Sequence, residues 1–174
     1  MSISHTSNPL DTIYFWKTSD KYGLFSQWFI SEFTIELVKF NCCEQYMMWS
    51  KAMLFNDTQT ACKIMLEKIP RKQKSLGRQV KNFNPTIWEQ NRERIVCTAN
   101  YAKFTQNNRL EKILLSTEDK IICEASPNDS IWGIGISEKN AKQGAPWKGQ
   151  NLLGNAIMSV RDIIKKEKYE NETL

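Results

Sequence analysis

Residues 152–164 place Leu152, Leu153, Ala156, Ile157, Val160, Ile163 and Ile164 at helical spacing, so one side of a helix is almost continuously apolar. Such a helix is marginal alone in water, and the rest of the chain must cover it. Asn151 stands at the expected N-cap, and Lys165, Lys166 and Lys168 suit the negative end of the helix dipole. Upstream, residues 44–55 are good helix formers, and Asn56-Asp57-Thr58 offers a stop and a new cap for a second helix reaching about residue 69, before Pro70. Asn84-Pro85, a cap followed by a first-turn proline, opens a third helix reaching about residue 104, and residues 110–115 form a short fourth. Residues 12–16 are β-branched and aromatic, residues 33–40 partly alternate, and 120–124 is a further possible strand. Between the first two, residues 21–29 read as a turn carrying an aromatic cluster. The fold expected is mainly α, of the α+β kind: a compact helical domain with a small N-terminal antiparallel sheet. With 174 residues, 41% of them hydrophobic, and no composition break, the chain suits one domain over 12–168, after a flexible leader 1–11 and before a loose tail 169–174.

The lone histidine narrows the chemistry. His5 falls in the leader, so histidine triads, Cys-His pairs and histidine-bearing metal sites are not expected, and acid–base work falls to Glu, Asp, Lys or Tyr. Five cysteines without a Cys-x-x-Cys pair suit reduced, mostly buried thiols rather than disulfides or zinc. No run approaches the ~20 apolar residues needed to cross a bilayer, and residues 1–8 lack the blocks of a signal peptide, so a cytosolic protein is expected. There is no Walker loop, and Gly133-Ile134-Gly135 lacks the third glycine of a dinucleotide fingerprint. Neither a metal nor a cofactor is called for.

Several constellations remain. Residues 126–154 hold Asp129, Trp132, Trp147 and several glycines, a composition suited to enclosing a small polar ligand between rings and closely approaching backbone. Asp129 reads as an acid, base or electrostatic stabiliser, although Pro-Asn-Asp-Ser is also a turn sequence. Glu44 and Lys51 lie about two turns apart on one apolar helix, as a functional pair or as a surface carboxylate and amine flanking core residues. The run 68–81 contains Lys68, Arg71, Lys72, Lys74, Arg78 and Lys81 and no acid, either a strip for phosphates or nucleic acid or a solvated loop. Arg78, beside Gly77, is the member best suited to gripping a phosphate. Trp88 and Trp132 suit stacking on a base or filling the core, and Lys103 and Glu124 are weaker polar candidates.

Read in order, Tyr14-Phe15-Trp16, Tyr22-Gly23, Phe25-Ser26, Glu44, Tyr46, Lys51-Ala52, Gly77-Arg78, Trp88, Lys103-Phe104, Leu114-Leu115, Thr117, Glu124, Asp129, Trp132-Gly133, Gly135, Gly149, Asn151, Leu153-Gly154, Met158 and Arg161 resemble the NADAR or YbiA-like family over roughly 12–164. The resemblance implies a compact, mostly helical N-glycosidase that cleaves a bond between ribose C1 and nitrogen. Two substrate classes go with it: ADP-ribose on the amino group of guanine, in nucleic acid or nucleotides, and phosphorylated ribosylamine intermediates of riboflavin synthesis. It makes Glu44, Lys51 and Asp129 the catalytic candidates and Trp88, Trp132, Arg78 and Asn151 the ligand-binding ones. Gln45 stands where the family usually has His, and Gln27 where it has Asn, both bearing on substrate preference. The leading expectation is a metal-independent hydrolase removing ADP-ribose from guanine, with the basic strip contacting nucleic acid. The riboflavin intermediate and a non-catalytic ADP-ribose or nucleotide binder are the alternatives.

Overall fold

The computed structural model describes residues 11–172. His5 and nearly all of the expected leader lie outside the described residues, as do 173 and 174. In chain order the elements are β1 (Thr12–Phe15), β2 (Phe33–Ile35), β3 (Val38–Phe40), α1 (Cys43–Leu54), α2 (Thr58–Leu66), α3 (Pro70–Gly77), α4 (Pro85–Thr105), α5 (Asn108–Leu115), β4 (Ile121–Glu124), α6 (Glu138–Lys142) and α7 (Leu152–Glu172), with a 3-10 turn at Gly23–Phe25. The mainly helical fold with a small antiparallel sheet is as expected. The residues group into two compact units, one of 11–26 with 113–172 and the other Gln27–Lys112. Among the described residues no helix is long and apolar enough to cross a membrane.

In the first unit β1 pairs in parallel with β4, Thr12 opposite Ile121 and Phe15 opposite Glu124. Parallel strands need a long crossover, and here the second unit is inserted into it, so local sequence around β1 carries no sign of its partner. The helix α7 packs on β4, and its Leu153, Ile157, Val160 and Ile164 are all buried. Ile163, expected on that face, lies at its edge and is 46% exposed. The helix also runs to Glu172, through much of the tail expected to be loose. Arg161 is buried and its Nη1 donates to Thr117 Oγ1 at 2.9 Å and to the Lys120 carbonyl at 2.8 Å, tying the turn before β4 to α7.

In the second unit the stretch 33–40, expected as one strand, is a hairpin. Phe33 faces Phe40 and Ile35 faces Val38, while Glu36 and Leu37 turn the chain with φ of 48° and 68°. Two successive left-handed residues make the tight turn that matches strand twist, and it usually announces itself as Asn-Gly. Glu-Leu carries no such signal. Phe33, Phe40, Cys43, Ala99 and Ala102 form the core here, with Tyr46 and Trp49 packed against it. The helix α2 is capped by Asp57, whose Oδ1 accepts from Thr60 N at 3.1 Å. Pro70 opens α3 as its first-turn residue, so the basic run, read as either a phosphate strip or a solvated loop, is largely helical.

Candidate active site

The helix α1 carries Glu44 in its first turn and Lys51 in its last. It is packed by α2, α3, α4 and β3, so it lies inside the second unit as its apolar composition requires. Glu44 is only 4% exposed, and its backbone N–H donates to the Gln27 carbonyl at 3.0 Å.

Lys51 is half-buried, and its surroundings are specific. Its Nζ donates to the Gly77 carbonyl at 2.9 Å and lies 4.2 Å from the ring centroid of Phe83 and 5.6 Å from that of Trp88. Burial lowers the proton affinity of this amine below the ordinary lysine range, and the nearby Arg78 guanidinium lowers it further. Gly77 is there because α3 ends against α1: a Cβ at this position would overlap Met48 Sδ. Of the expected residues, Lys51, Arg78 and Trp88 are therefore brought together.

Phe83 went unforeseen, although its sequence position was informative. It precedes the cap Asn84, whose Oδ1 accepts from Ile87 N at 3.1 Å, and Trp88 follows at the fourth helical position. These are the positions of a hydrophobic staple, which fixes how the chain enters a helix. Here both members flank the Lys51 amine.

On the basic strip, Lys68, Arg71, Lys72, Arg78 and Lys81 are exposed. Lys74 is half-buried, with Nζ 5.9 Å from the Trp28 ring centroid. A network of carboxamides ties this segment to α1. Gln45 Nε2 donates to the carbonyls of Ile64, Met65 and Glu67 at 3.1–3.2 Å, while Gln73 Nε2 donates to Glu67 O at 2.8 Å and Asn41 Oδ1 at 3.1 Å. Gln27 Oε1 accepts from Asn100 Nδ2 at 2.9 Å. Both departures from the family pattern, Gln45 and Gln27, are buried and hold helices together. Lys103 is wholly buried, 5.6 Å from the Phe29 ring centroid and 5.3 Å from that of Phe104, and burial depresses its proton affinity.

In the first unit Asp129 is half-buried and its Oδ1 accepts from Ile131 N at 3.0 Å and Trp132 N at 2.8 Å. One carboxylate oxygen thus holds the turn that places the half-buried Trp132. The neighbouring glycines serve backbone packing. A Cβ on Gly149 would overlap the Gly133 carbonyl, and one on Gly154 would overlap the Ile122 carbonyl, which α7 approaches. Asn151, at φ 54°, lends its side chain to β4 instead of capping its own helix. Its Nδ2 donates to Ile122 O at 2.9 Å and its Oδ1 accepts from Glu124 N at 3.1 Å, as a neighbouring strand would. It is 1% exposed and seals that strand edge. Glu124 is half-buried on the same strand. Among the described residues no group of three or more His, Cys, Asp or Glu side chains is placed to hold a metal ion.

A model of the NADAR domain matches residues 14–165. The chain is 45% identical over 146 residues to N-glycosidase R617 of Acanthamoeba polyphaga mimivirus, covering 80% of this chain and 86% of that protein. It is 30% identical to N-glycosidase YbiA of Escherichia coli K12, covering 91% and 92% of the two chains. The NMR structure of E. coli YbiA is similar with a TM-score of 0.77, at 29% identity, covering 97% of this chain and 92% of that one. Motif order, fold and sequence identity agree, and the chain belongs to the NADAR domain family.

Proposed function

We propose that this protein is an N-glycosidase that removes ADP-ribose from the amino group of guanine, in nucleic acid or nucleotides, without a metal. The observation that carries the reading is the Lys51 amine, half-buried between Phe83, Trp88 and the Gly77 carbonyl, with its proton affinity depressed, on the same helix as the buried Glu44. A nucleophilic amine must be neutral, and desolvation beside another cation favours that form. The name N-glycosidase borne by the relatives supports hydrolysis at a C1–N bond.

In the proposed sequence the ribose ring opens as its ring oxygen takes up a proton, leaving C1 bonded to the guanine nitrogen as an iminium. Neutral Lys51 Nζ adds to C1. Glu44 carries a proton from Nζ to the guanine nitrogen, which departs with the electrons of the C1–N bond and leaves a protonated imine on Lys51. Water then adds to C1 and releases the sugar aldehyde, restoring the amine. Asp129 acts on the ribose hydroxyls or the water through its Oδ2, the oxygen that its turn does not use. Trp88, Trp132 and Arg78 contact the ligand, while the Asn151 side chain is taken up by β4. The exposed cations of 68–81 favour a polyanionic substrate.

The test is hydrolysis of an ADP-ribosylated guanine oligonucleotide beside a ribosylaminopyrimidine phosphate, each with and without a chelator. Chelator-insensitive release of ADP-ribose from the oligonucleotide is expected. Preferential turnover of the pyrimidine compound would overturn the substrate assignment. Stabilisation by ADP-ribose with turnover of neither would mark a binding module.

A further inference from the structure

Lys51 is held jointly by two rings and a backbone carbonyl. Trp88 is one of the ligand-binding candidates named from the sequence, and Phe83 is not. Phe83 is nonetheless the nearer ring, 4.2 Å from Nζ to its centroid against 5.6 Å for Trp88. It also packs edge-to-face on Phe55, with centroids 5.3 Å apart, and Phe55 is the C-cap residue of α1 itself. The ring thus bridges the end of the helix that carries Lys51 and the capped start of α4. It is 43% exposed, so it contributes less to the core than a buried ring, and its face covers one side of Nζ.

We propose that Phe83 is a positioning residue for Lys51: seated on Phe55 at the staple position of α4, it shields the amine from water and keeps it against the Gly77 carbonyl, aligned for attack. The inference rests on Lys51 being the reactive amine of the proposed hydrolysis. Of the elements packed on α1, namely α2, α3, α4 and β3, the charged group whose field acts on Lys51 is Arg78, which follows α3. Arg78 keeps its charge when Phe83 is changed, and its own substitution reads the charge effect separately. An aromatic face also attracts an ammonium ion, which opposes the shielding. Burial is the larger of the two causes that lower the proton affinity of Lys51, and on this proposal the ring's share of that burial outweighs the attraction.

The experiment is competitive labelling of the intact protein with a trace acylating reagent across a pH series, with Lys51 resolved by peptide mass spectrometry. Phe83→Ala is expected to raise the labelling midpoint of Lys51 by about half a pH unit, which is about threefold less neutral amine at a fixed pH below it. Phe83→Leu, which keeps apolar bulk without the ring, is expected to stay near the wild-type midpoint. The acid limb of hydrolysis should follow the labelling in both variants. An unchanged or lowered midpoint in Phe83→Ala, or an equal rise in Phe83→Leu, overturns the proposal. The labelling reads Lys51 with no substrate present, so absence of hydrolysis in the wild-type protein would count against the functional reading alone.

Discussion

Lys51 donates a 2.9 Å hydrogen bond to the carbonyl of Gly77, a residue on another helix whose missing side chain makes room for Met48. Close approach of α3 to α1 and the placement of the amine are therefore one feature. It begins in sequence as a glycine beside an arginine.

Gly77→Ala is expected to destabilise the protein by about 1–3 kcal/mol through overpacking and to weaken hydrolysis by displacing the Lys51 acceptor. Met48→Ala in the same chain should recover part of the stability, because the overlap is with that side chain. Chemical denaturation of the two single variants and the double variant measures the recovery.

Arg78 is the second cause of the depressed proton affinity of Lys51, after burial. With the neutral amine as nucleophile, the rate rises with pH through the Lys51 value, and that limb lies below the ordinary lysine range. Arg78→Ala should move the limb upward, whereas Arg78→Lys keeps the charge and should move it less. Folding linkage has the same sign. Between the folded value of Lys51 and the ordinary one the unfolded chain binds more protons, so this group makes stability rise with pH over that window. A pH–rate profile of the three proteins is the check.

Asp129 holds a turn with one carboxylate oxygen, so a change there risks confusing structure with chemistry. Asparagine keeps an acceptor for both backbone N–H groups and removes the charge. Asp129→Asn is expected to melt within a few degrees of wild type yet lose about 100-fold or more in rate. Asp129→Ala should lose both. Melting curves beside initial rates distinguish them.

Asn151→Ala would leave the Ile122 carbonyl and the Glu124 N–H without their side-chain partners at a buried strand edge. A cost of about 1–3 kcal/mol is expected, as for buried polar groups left unsatisfied. Urea titration reads it directly.

Much of this fold was legible because its signals are local. The caps at Asp57 and Asn84 and the apolar face of α7 each declare themselves within a few residues. What escaped depends on partners far along the chain or on unusual turn chemistry. The hairpin at Glu36 and Leu37 uses left-handed residues without the usual small side chains. The pairing of β1 with β4 is set by tertiary packing after a long insertion. The helix α3 was hidden because Pro70 reads equally as the end of one helix and the start of the next. In the candidate site, the placement of Glu44 and Lys51 on one packed helix was legible from their spacing among apolar residues. The glycines of 126–154 suggested close approach of a ligand, but at Gly149 and Gly154 it is the protein's own backbone that approaches. Gln45 and Gln27 looked like determinants of substrate preference, and each is occupied by internal hydrogen bonds.

The central claim is that Glu44 and Lys51 carry cleavage of a ribose C1–N bond. Its most direct test is the initial rate of ADP-ribose release from an ADP-ribosylated guanine oligonucleotide by the wild-type, Lys51→Ala and Glu44→Gln proteins, each shown to be folded. The expected result is turnover by the wild type and a loss of about 100-fold or more in each variant. Near wild-type rates in both variants would contradict it.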